Sequence, residues 1–206
     1  MKNIKVFVAG STDKIWLDWL PINAVPVFKL DIADLVIFRG GTDINPKLYG
    51  HKRLSMSDIP DHKRDDLEIE MYNKAIKLGI KILGICRGSQ LVNCLNGTGT
   101  LVQHMSHPPV HEVKTKSGFK FNINSSHHQL MVPSGCNFNI LAWAENLSPV
   151  YQYGDGDIEM KKEPEIVHFP ETNCLAIQSH PEWSNMPNKG RIYIKGIVRK
   201  FMRDKL

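Results

Sequence analysis

The chain has 206 residues, a length that favours one domain spanning residues 1–206. Hydrophobic residues make up 42% of the chain and charged residues 23%, which suits a globular protein with a core and excludes a disordered chain. The sequence predicts neither a membrane span nor a signal peptide, because its apolar runs are short and its first residues are charged. A charge surplus of +5 is modest, so we expect no nucleic-acid partner.

The four cysteines, at positions 86, 94, 136 and 174, form no Cys-x-x-Cys pair and no spacing typical of a disulfide scaffold or a zinc site. This pattern is typical of a reducing compartment, so we expect a cytoplasmic protein. Cys94, Cys136 and Cys174 are expected to be buried structural residues, as most isolated cysteines are.

The first half of the chain alternates short apolar runs with helical patterns. Apolar runs bounded by Gly, Pro or Asp are typical of strands buried on both faces of a sheet. Strands are predicted at residues 4–9, 25–28, 35–38 and 80–85, and helices at 13–20, 65–78 and 87–95. The order of these elements predicts a layered α/β fold.

The second half is predicted to be rich in strands, with a last amphipathic helix at residues 189–206. No helix is predicted between residues 111 and 178. Strand-like segments lie at residues 119–123, 139–144, 150–153, 158–161, 165–169 and 174–177. Because no flexible linker separates the halves, we expect these strands to extend the same sheet.

The segment Gly84-Ile85-Cys86-Arg87-Gly88 lies between a predicted buried strand and a helix. Small residues around a central nucleophile permit the sharp turn called a nucleophile elbow, which presents one side chain above the sheet. A thiol at a helix N-terminus also lies near unpaired N–H groups and the positive end of the helix dipole, which favour thiolate. Cys86 is therefore the candidate nucleophile.

His180-Pro181-Glu182 follows the predicted strand 174–177. In an extended chain, residues i and i+2 project to the same side, so the imidazole and the carboxylate can lie together. A Cys86-His180-Glu182 triad then becomes feasible, with His180 as general base and acid and Glu182 orienting the ring.

Arg39-Gly40-Gly41 lies at the carboxyl end of the strand 35–38, the edge at which open α/β sheets bind ligands. The N–H groups of Gly40 or Gly41, together with the N–H of Arg87, could form an oxyanion hole. A simple Gly-Gly turn is the alternative.

These motifs resemble the class I glutamine amidotransferase superfamily, and most of all its peptidase C26 branch, the γ-glutamyl-γ-aminobutyrate hydrolases. The segments that carry the resemblance are 40–50, 64–68, 84–90, 124–129 and 178–183. The resemblance implies a flavodoxin-like three-layer sandwich with a mostly parallel central sheet. It also implies hydrolysis of a γ-glutamyl amide through a γ-glutamyl thioester on Cys86, with no metal and no organic cofactor. Gln90, Ser126 and His127 would then bind the glutamyl moiety.

Two further groups of polar residues are ambiguous in the sequence. His104, His107 and His111 could form a metal site, but their spacing fits no strong ligand pattern, so a structural or pocket-lining role is favoured. The loop 47–64 is basic and leaves the oxyanion segment, so it should lie near the mouth of the site and favour an anionic or phosphorylated substrate or a partner surface.

Three functions remain open at this stage. The first is a free-standing hydrolase that releases glutamate and an amine from a γ-glutamyl amide made by a separate ligase. The second is a glutaminase subunit that supplies ammonia to a separate synthetase. The third is a binding module without catalysis. The sequence does not identify the amine or the oligomeric state.

Overall fold

The computed structural model describes residues 3–53, 57–104 and 107–206, and elements are numbered in chain order. All seven elements predicted for the first half are present, and their bounds differ from the predicted ones by three residues or fewer. They are β1 (Ile4–Val8), α1 (Ile15–Asp18), β2 (Ala24–Pro26), β3 (Leu35–Phe38), α2 (His62–Lys77), β4 (Lys81–Ile85) and α3 (Arg87–Leu95).

The second half is rich in strands, as predicted, and ends in a helix. Its elements are β5 (Thr100–His104), β6 (Val110–Lys114), β7 (Lys120–Asn124), β8 (Gln129–Val132), β9 (Asn139–Ala144), β10 (Tyr151–Tyr153), β11 (Gly156–Ile158), β12 (Glu163–Phe169), β13 (Cys174–Ile177) and α4 (Asn188–Met202). Strands β5, β6 and β8 were not predicted. These are short segments of mixed polarity, stabilised by pairing with strands distant in the chain.

Nine strands form one sheet in the order β2-β1-β3-β4-β13-β12-β9-β6-β7. The strands from β2 to β13 run parallel, and each of the last four is antiparallel to its neighbour. This is the predicted α/β sheet with its β-rich extension. The expectation that all second-half strands join it is wrong, because β10 and β11 pair with β5 and β8 in a separate four-stranded sheet.

The parallel strands are buried on both faces, which explains their continuous apolar sequences. In β3, Leu35 and Ile37 point into one core with α1 and α4, whereas Val36 and Phe38 point into the other with α2 and α3. Residues of β5 and β8 complete this second core. The sheet therefore lies between two helical layers, and the small sheet packs beside α3.

The turn from β4 into α3 is the sharpest feature of the parallel half. Cys86 has φ 49° and ψ −111°, an uncommon backbone conformation for a residue with a side chain, and α3 begins at the next residue. Gly88 lies directly against the Phe38 carbonyl of β3, where a Cβ atom would overlap it. Glycine at this position therefore lets the helix start against the sheet, as the elbow motif predicts.

The longest helix in the described part of the chain, α2, has 16 residues. No helix among the described residues combines the length and apolar character needed to cross a membrane.

Replacing Gly88 tests whether this close approach sets the turn. We expect Gly88→Ala to lower the free energy of unfolding by about 2–3 kcal/mol, because the added methyl group must displace β3 or α3. Urea denaturation measures the change. Gly196→Ala is the matched control, since Gly196 lies within α4 with open space around it, and alanine there should stabilise the protein by about 0.5–1 kcal/mol. Equal effects of the two substitutions would contradict the interpretation.

Candidate active site

The structure brings Cys86, His180 and Glu182 together at the carboxyl end of the parallel strands. His180 Nδ1 lies 2.7 Å from Glu182 Oε1, and the imidazole also contacts the Cys86 thiol through a hydrogen bond. His180 and Glu182 therefore project to the same side of the chain, as predicted. The Glu182 carboxylate is bound to Nδ1, the ring nitrogen nearer to the backbone. All three residues are buried.

Burial by itself lowers the pKa of His180, because it disfavours the charged imidazole. The hydrogen bonds with Cys86 and Glu182 oppose this effect, and the net result raises the pKa to about 9. The ring therefore holds a proton at neutral pH in the resting site.

Two neighbours hold His180 in place. Trp183 stacks on the imidazole with ring centroids 3.8 Å apart and an interplanar angle of 10°, and a stacked indole also favours the cationic ring. Asn124, at the end of β7, accepts from the His180 N–H and donates to its carbonyl, both at 3.0 Å. The antiparallel half of the sheet thereby fixes the backbone of the candidate base.

The other three cysteines have surroundings different from those of Cys86. Cys94 and Cys174 are buried, as predicted, whereas Cys136 is only partly buried, so the expectation of burial is wrong for Cys136. Burial raises the pKa of the Cys94 and Cys136 thiols, and it raises that of Cys174 to about 11. A thiol with a raised pKa stays protonated and unreactive at neutral pH. The geometry therefore distinguishes Cys86 from the rest.

The Gly40-Gly41 segment lies directly beside this pair. A Cβ on Gly40 would lie 2.7 Å from His180 Cε1 and 3.5 Å from Cys86 Cβ. The guanidinium of Arg64 donates to the carbonyls of Arg39 and Gly40, at 2.9 and 3.2 Å. Because N–H and C=O point in opposite directions across a trans peptide, the N–H groups of Gly40 and Gly41 point away from Arg64.

A buried network of charges connects α2 to the elbow. The guanidinium of Arg87 forms ion pairs with Asp65 and Glu68, and Glu68 also accepts from Arg64 at 2.8 Å. Asp65 accepts in addition from the backbone N–H of Asn45, at 2.9 Å. The side chain of Arg87 is thus held within the protein, while its N–H, at the first position of α3, has no partner within the helix.

A cavity of about 310 Å³ lies in front of Cys86 and His180. The residues that line it are Gly41, Asp43, Asp58, Cys86, Gln90, Ser126, His127, His128, His180 and Trp183. Its size suits part of a small molecule. Of the nine residues predicted for the triad, the oxyanion hole and the glutamyl site, all except Gly40, Arg87 and Glu182 line this cavity. His104, His107 and His111 are not among its lining residues.

The three predicted glutamyl-binding residues differ in what they can offer. Gln90 is buried and donates from Nε2 to the Gln129 carbonyl at 3.2 Å, which leaves its side-chain oxygen as an acceptor. Ser126 is exposed on the cavity wall. His127 also lines the cavity, but its Nδ1 lies 3.1 Å from the Gln129 carbonyl and its Nε2 faces Glu165 at 3.9 Å.

Several residues that shape the cavity were not predicted from the sequence. Asp43 and Asp58 line it, and Asp43 lies 2.8 Å from His128 Nε2, a hydrogen bond that raises the pKa of His128. Asp43 belongs to the segment 40–50 that carried the resemblance, but its role depends on tertiary contacts. Trp183, which follows Glu182 in the chain, is the one missed residue that its sequence position could have suggested.

The basic loop 47–64 reaches the cavity, as predicted, through Asp58, and its residues 54–56 lie outside the described residues. Arg53 donates to the carbonyls of Ser57 and Asp58, and Arg64 is paired with Glu68. Among the described residues, the loop contributes Asp58 to the cavity lining and none of its basic side chains. Two of its arginines therefore stabilise the local fold.

A profile of the Peptidase C26 family matches residues 23–182. The chain belongs to the Peptidase C26 family. The match includes the Cys86 elbow, the Gly40-Gly41 segment and His180-Pro181-Glu182. Peptidase C26 proteins of this type are class I glutamine amidotransferase-type hydrolases of C–N bonds, and the expected family is therefore confirmed.

Individual relatives and solved structures agree with this assignment. The glutamine amidotransferase-like protein YvdE of Lactococcus lactis is 27% identical, over 79% of this chain and 72% of its own length. Rv2859c of Mycobacterium tuberculosis, whose name assigns it provisionally to the glutamine amidotransferases, is 31% identical over 75% of this chain and 52% of its own.

Solved structures with the same fold have lower sequence identity. The structure of PurLQS from Thermotoga maritima matches 99% of both chains with a TM-score of 0.57 and 18% identity. A glutamine amidotransferase from Thermotoga maritima matches all of this chain and 87% of its own, with a TM-score of 0.55 and 11% identity. These matches confirm the predicted class I glutamine amidotransferase fold.

Glu182→Gln tests the origin of the raised His180 pKa. Glutamine can still accept a hydrogen bond from Nδ1–H, but it lacks the negative charge that favours the imidazolium, so the pKa of His180 should fall by about 1–3 from its value of about 9. The imidazolium is then lost at lower pH than in the parent. An NMR titration of the His180 ring, assigned by comparison with His180→Gln, measures the midpoint.

Glu171→Gln, at an exposed position, serves as the control and should leave the midpoint unchanged. The role of Glu182 is refuted if the Glu182→Gln and parent proteins titrate at the same pH.

Proposed function

We propose that this protein hydrolyses a γ-glutamyl amide, releasing glutamate and an amine. The observation that carries the proposal is the arrangement of Cys86, His180 and Glu182 against one cavity, with the Gly40-Gly41 segment beside it. The family assignment supports C–N hydrolysis, and the γ-glutamyl specificity and the triad are our proposals. No metal or organic cofactor enters these steps.

In the first half of the reaction, the Cys86 thiolate attacks the γ-carbonyl carbon of the substrate. Negative charge that develops on the carbonyl oxygen is stabilised by the N–H groups of Gly40 or Gly41 and of Arg87. The tetrahedral intermediate collapses when its C–N bond breaks, and His180 gives its proton to the leaving amine. The product of this half is a γ-glutamyl thioester on Cys86.

In the second half, neutral His180 removes a proton from water, and the resulting hydroxide attacks the thioester carbonyl. The C–S bond breaks, glutamate leaves, and the thiolate and imidazolium pair is restored. Glu182 keeps Nδ1–H of the ring bound throughout, so that the other ring nitrogen serves the reaction. Trp183 restricts the same ring by stacking on it.

The glutamyl end of the substrate is assigned to the wall formed by Gln90, Ser126 and His127. The side-chain oxygen of Gln90 can accept from the α-ammonium group, since its Nε2 already donates to Gln129. Ser126 offers an exposed hydroxyl. His127 contributes shape to this wall, because its Nδ1 is bound to the Gln129 carbonyl and its Nε2 faces Glu165 on the side away from the cavity.

The amine end is assigned to the opening lined by Asp43 and Asp58. His128 offsets part of the charge of Asp43, and Asp58 remains exposed. This lining disfavours the anionic or phosphorylated amine that the basic loop suggested, so we propose a cationic or neutral amine. Because the four cysteines are unpaired, we also propose a reducing, cytoplasmic setting.

The alternative is a glutaminase that supplies ammonia to a separate synthetase. Its support is the fold that this chain shares with PurLQS. Because the two sequences are only 18% identical, the similarity shows a common fold and no more. The binding module is a weaker alternative, since the residues needed for covalent catalysis are all present and in contact.

Replacing the nucleophile separates these functions. We expect the parent protein to be labelled covalently by the glutamine-like electrophile diazo-oxo-norleucine and to release glutamate from γ-glutamyl amides without a partner. Cys86→Ala should lose both activities, because no other thiol is placed at the elbow. Mass spectrometry detects the label and a coupled assay detects glutamate. Cys94→Ala is the matched control and should retain both.

The outcomes distinguish the three functions. Labelling with hydrolysis of a secondary amide supports the hydrolase. Labelling with turnover of glutamine alone, accelerated by an added synthetase, would support the subunit. A parent protein that is not labelled and releases no glutamate would support the binding module and overturn the proposal.

Three amides of similar size test the charge of the amine. We expect kcat/KM to be highest for γ-glutamyl-ethylenediamine, which is cationic, intermediate for γ-glutamyl-ethylamide and lowest for γ-glutamylglycine. Asp58→Asn should lower kcat/KM for the cationic amide by up to about fivefold through KM, the range expected for one exposed charge pair, and leave the neutral amide unchanged.

Asp66→Asn, an exposed position on α2, is the control and should not alter the order of the substrates. A preference for γ-glutamylglycine that Asp58→Asn leaves unchanged would restore the anionic substrate suggested by the basic loop.

A further inference from the structure

A cluster of histidine and glutamate side chains lies behind the wall of the cavity, where β5, β6, β8 and β12 approach one another. Its aromatic members pack ring to ring, with centroid distances between 4.3 and 5.4 Å. Its members are His104, His107, His111, His127, Glu163 and Glu165. The reaction proposed above uses none of their ring nitrogens or carboxylates.

The cluster is almost completely shielded from solvent. The side chains of Glu163 and Glu165 are fully buried, and those of His107, His111 and His127 are at most 2% exposed. Two buried carboxylates need compensation by positive charge, because an unpaired buried charge is costly.

Several polar atoms of the cluster have no hydrogen-bond partner among the described residues. They are His104 Nδ1, His111 Nδ1, His127 Nε2 and Glu165 Oε2. Buried polar groups in folded proteins nearly always have a partner. Two of these atoms, His111 Nδ1 and Glu165 Oε2, belong to side chains that lie close enough to share one ion. Imidazole nitrogens and carboxylate oxygens are the donor atoms that Zn²⁺ accepts.

We propose that His107, His111 and Glu165 bind one divalent transition-metal ion, with Zn²⁺ the best match to this donor set. One donor atom from each of the three lies within 4.8 Å of those from the other two. Bonds of about 2.0–2.2 Å to a common ion need only a small inward adjustment of these side chains. The double charge of the ion also balances Glu163 and Glu165.

The surroundings of the three ligands resemble the outer shell of known metal sites. Glu163 Oε2 lies 3.1 Å from His107 Nε2, and a carboxylate on the second ring nitrogen is the usual way to orient a metal-binding histidine. The hydroxyl of Ser125, 3.1 Å from His107 Nδ1, can rotate away when that nitrogen binds metal. His127 Nε2 faces the Glu165 carboxylate from the cavity side at 3.9 Å.

The ion would connect three separate segments of the chain. His111 lies on β6, Glu165 lies on β12, and His107 precedes β6 in a segment outside the strands. None of the three is among the described residues that line the catalytic cavity. The metal therefore holds the antiparallel half of the sheet together behind His127, apart from the chemistry at Cys86.

Cobalt substitution tests the proposal directly. The full chain is freed of metal with a chelator and titrated with Co²⁺, in the Cys86→Ala background so that the catalytic thiol cannot bind the ion. We expect one equivalent of Co²⁺ to produce visible d–d absorption without a thiolate charge-transfer band, and Zn²⁺ to displace it. His107→Asn and His111→Asn should each weaken binding by at least about tenfold. His168→Asn, on the same strand as Glu165, is the matched control and should bind as the parent does.

Failure of the parent to bind Co²⁺ or Zn²⁺ in equilibrium dialysis would overturn the proposal. Equal binding by the parent and His107→Asn would also overturn it, as would equal weakening by His168→Asn. His107 lies outside the strands, so its variant should fold even where His111→Asn does not, and circular dichroism checks this. Since these readouts do not depend on hydrolysis, they stay decisive whether or not the proposed function is correct.

Discussion

The buried ion pairs of Arg87 with Asp65 and Glu68 connect helix α2 to the start of α3. Through Arg64, the same network also reaches the loop that contains Gly40. With Arg64 included, the network contains two cations and two carboxylates, so its formal charge is balanced. Removing one member of such a network leaves an unpaired buried charge and costs about 3–5 kcal/mol. Helix α2 provides three of these side chains and touches the cavity with none of them, yet it fixes both the elbow and the carbonyls of the Gly40 loop.

The buried histidines illustrate how surroundings decide chemistry. His180 lies between a thiol and a carboxylate under an indole ring, and its pKa rises to about 9 although burial opposes this. His127 lies among other imidazoles, and burial together with these neighbours moves its pKa in the opposite direction. The first ring can hold and transfer a proton, whereas the second is a neutral donor of a lone pair. His127 and His180 are both buried histidines, and they differ in the charged groups nearest to them.

How much of this arrangement could be predicted depended on the distance in sequence between the partners. The elbow at Cys86 and the pair His180 and Glu182 are local, so spacing alone predicted their geometry. The contact of Trp183 with His180 and the position of Asp58 depend on how the chain returns to the cavity. The histidine cluster requires β5, β6 and β8, which were not predicted. His104, His107 and His111 could be grouped from the sequence, but nothing in the sequence placed Glu163 and Glu165 beside them. Non-local strand pairing was therefore the main source of error.

The charge surplus of +5 shows why net charge says little about a site. In the loop 47–64, Arg53 binds backbone carbonyls and Arg64 binds Glu68 and the Gly40 loop, so these cations are used within the protein. The same loop presents Asp58 to the cavity. The field that a substrate meets there is set by the few groups facing it, and within the Debye length of about 8 Å those groups outweigh distant surface charge. A protein with a positive net charge can thus place an exposed carboxylate, that of Asp58, at the edge of this cavity.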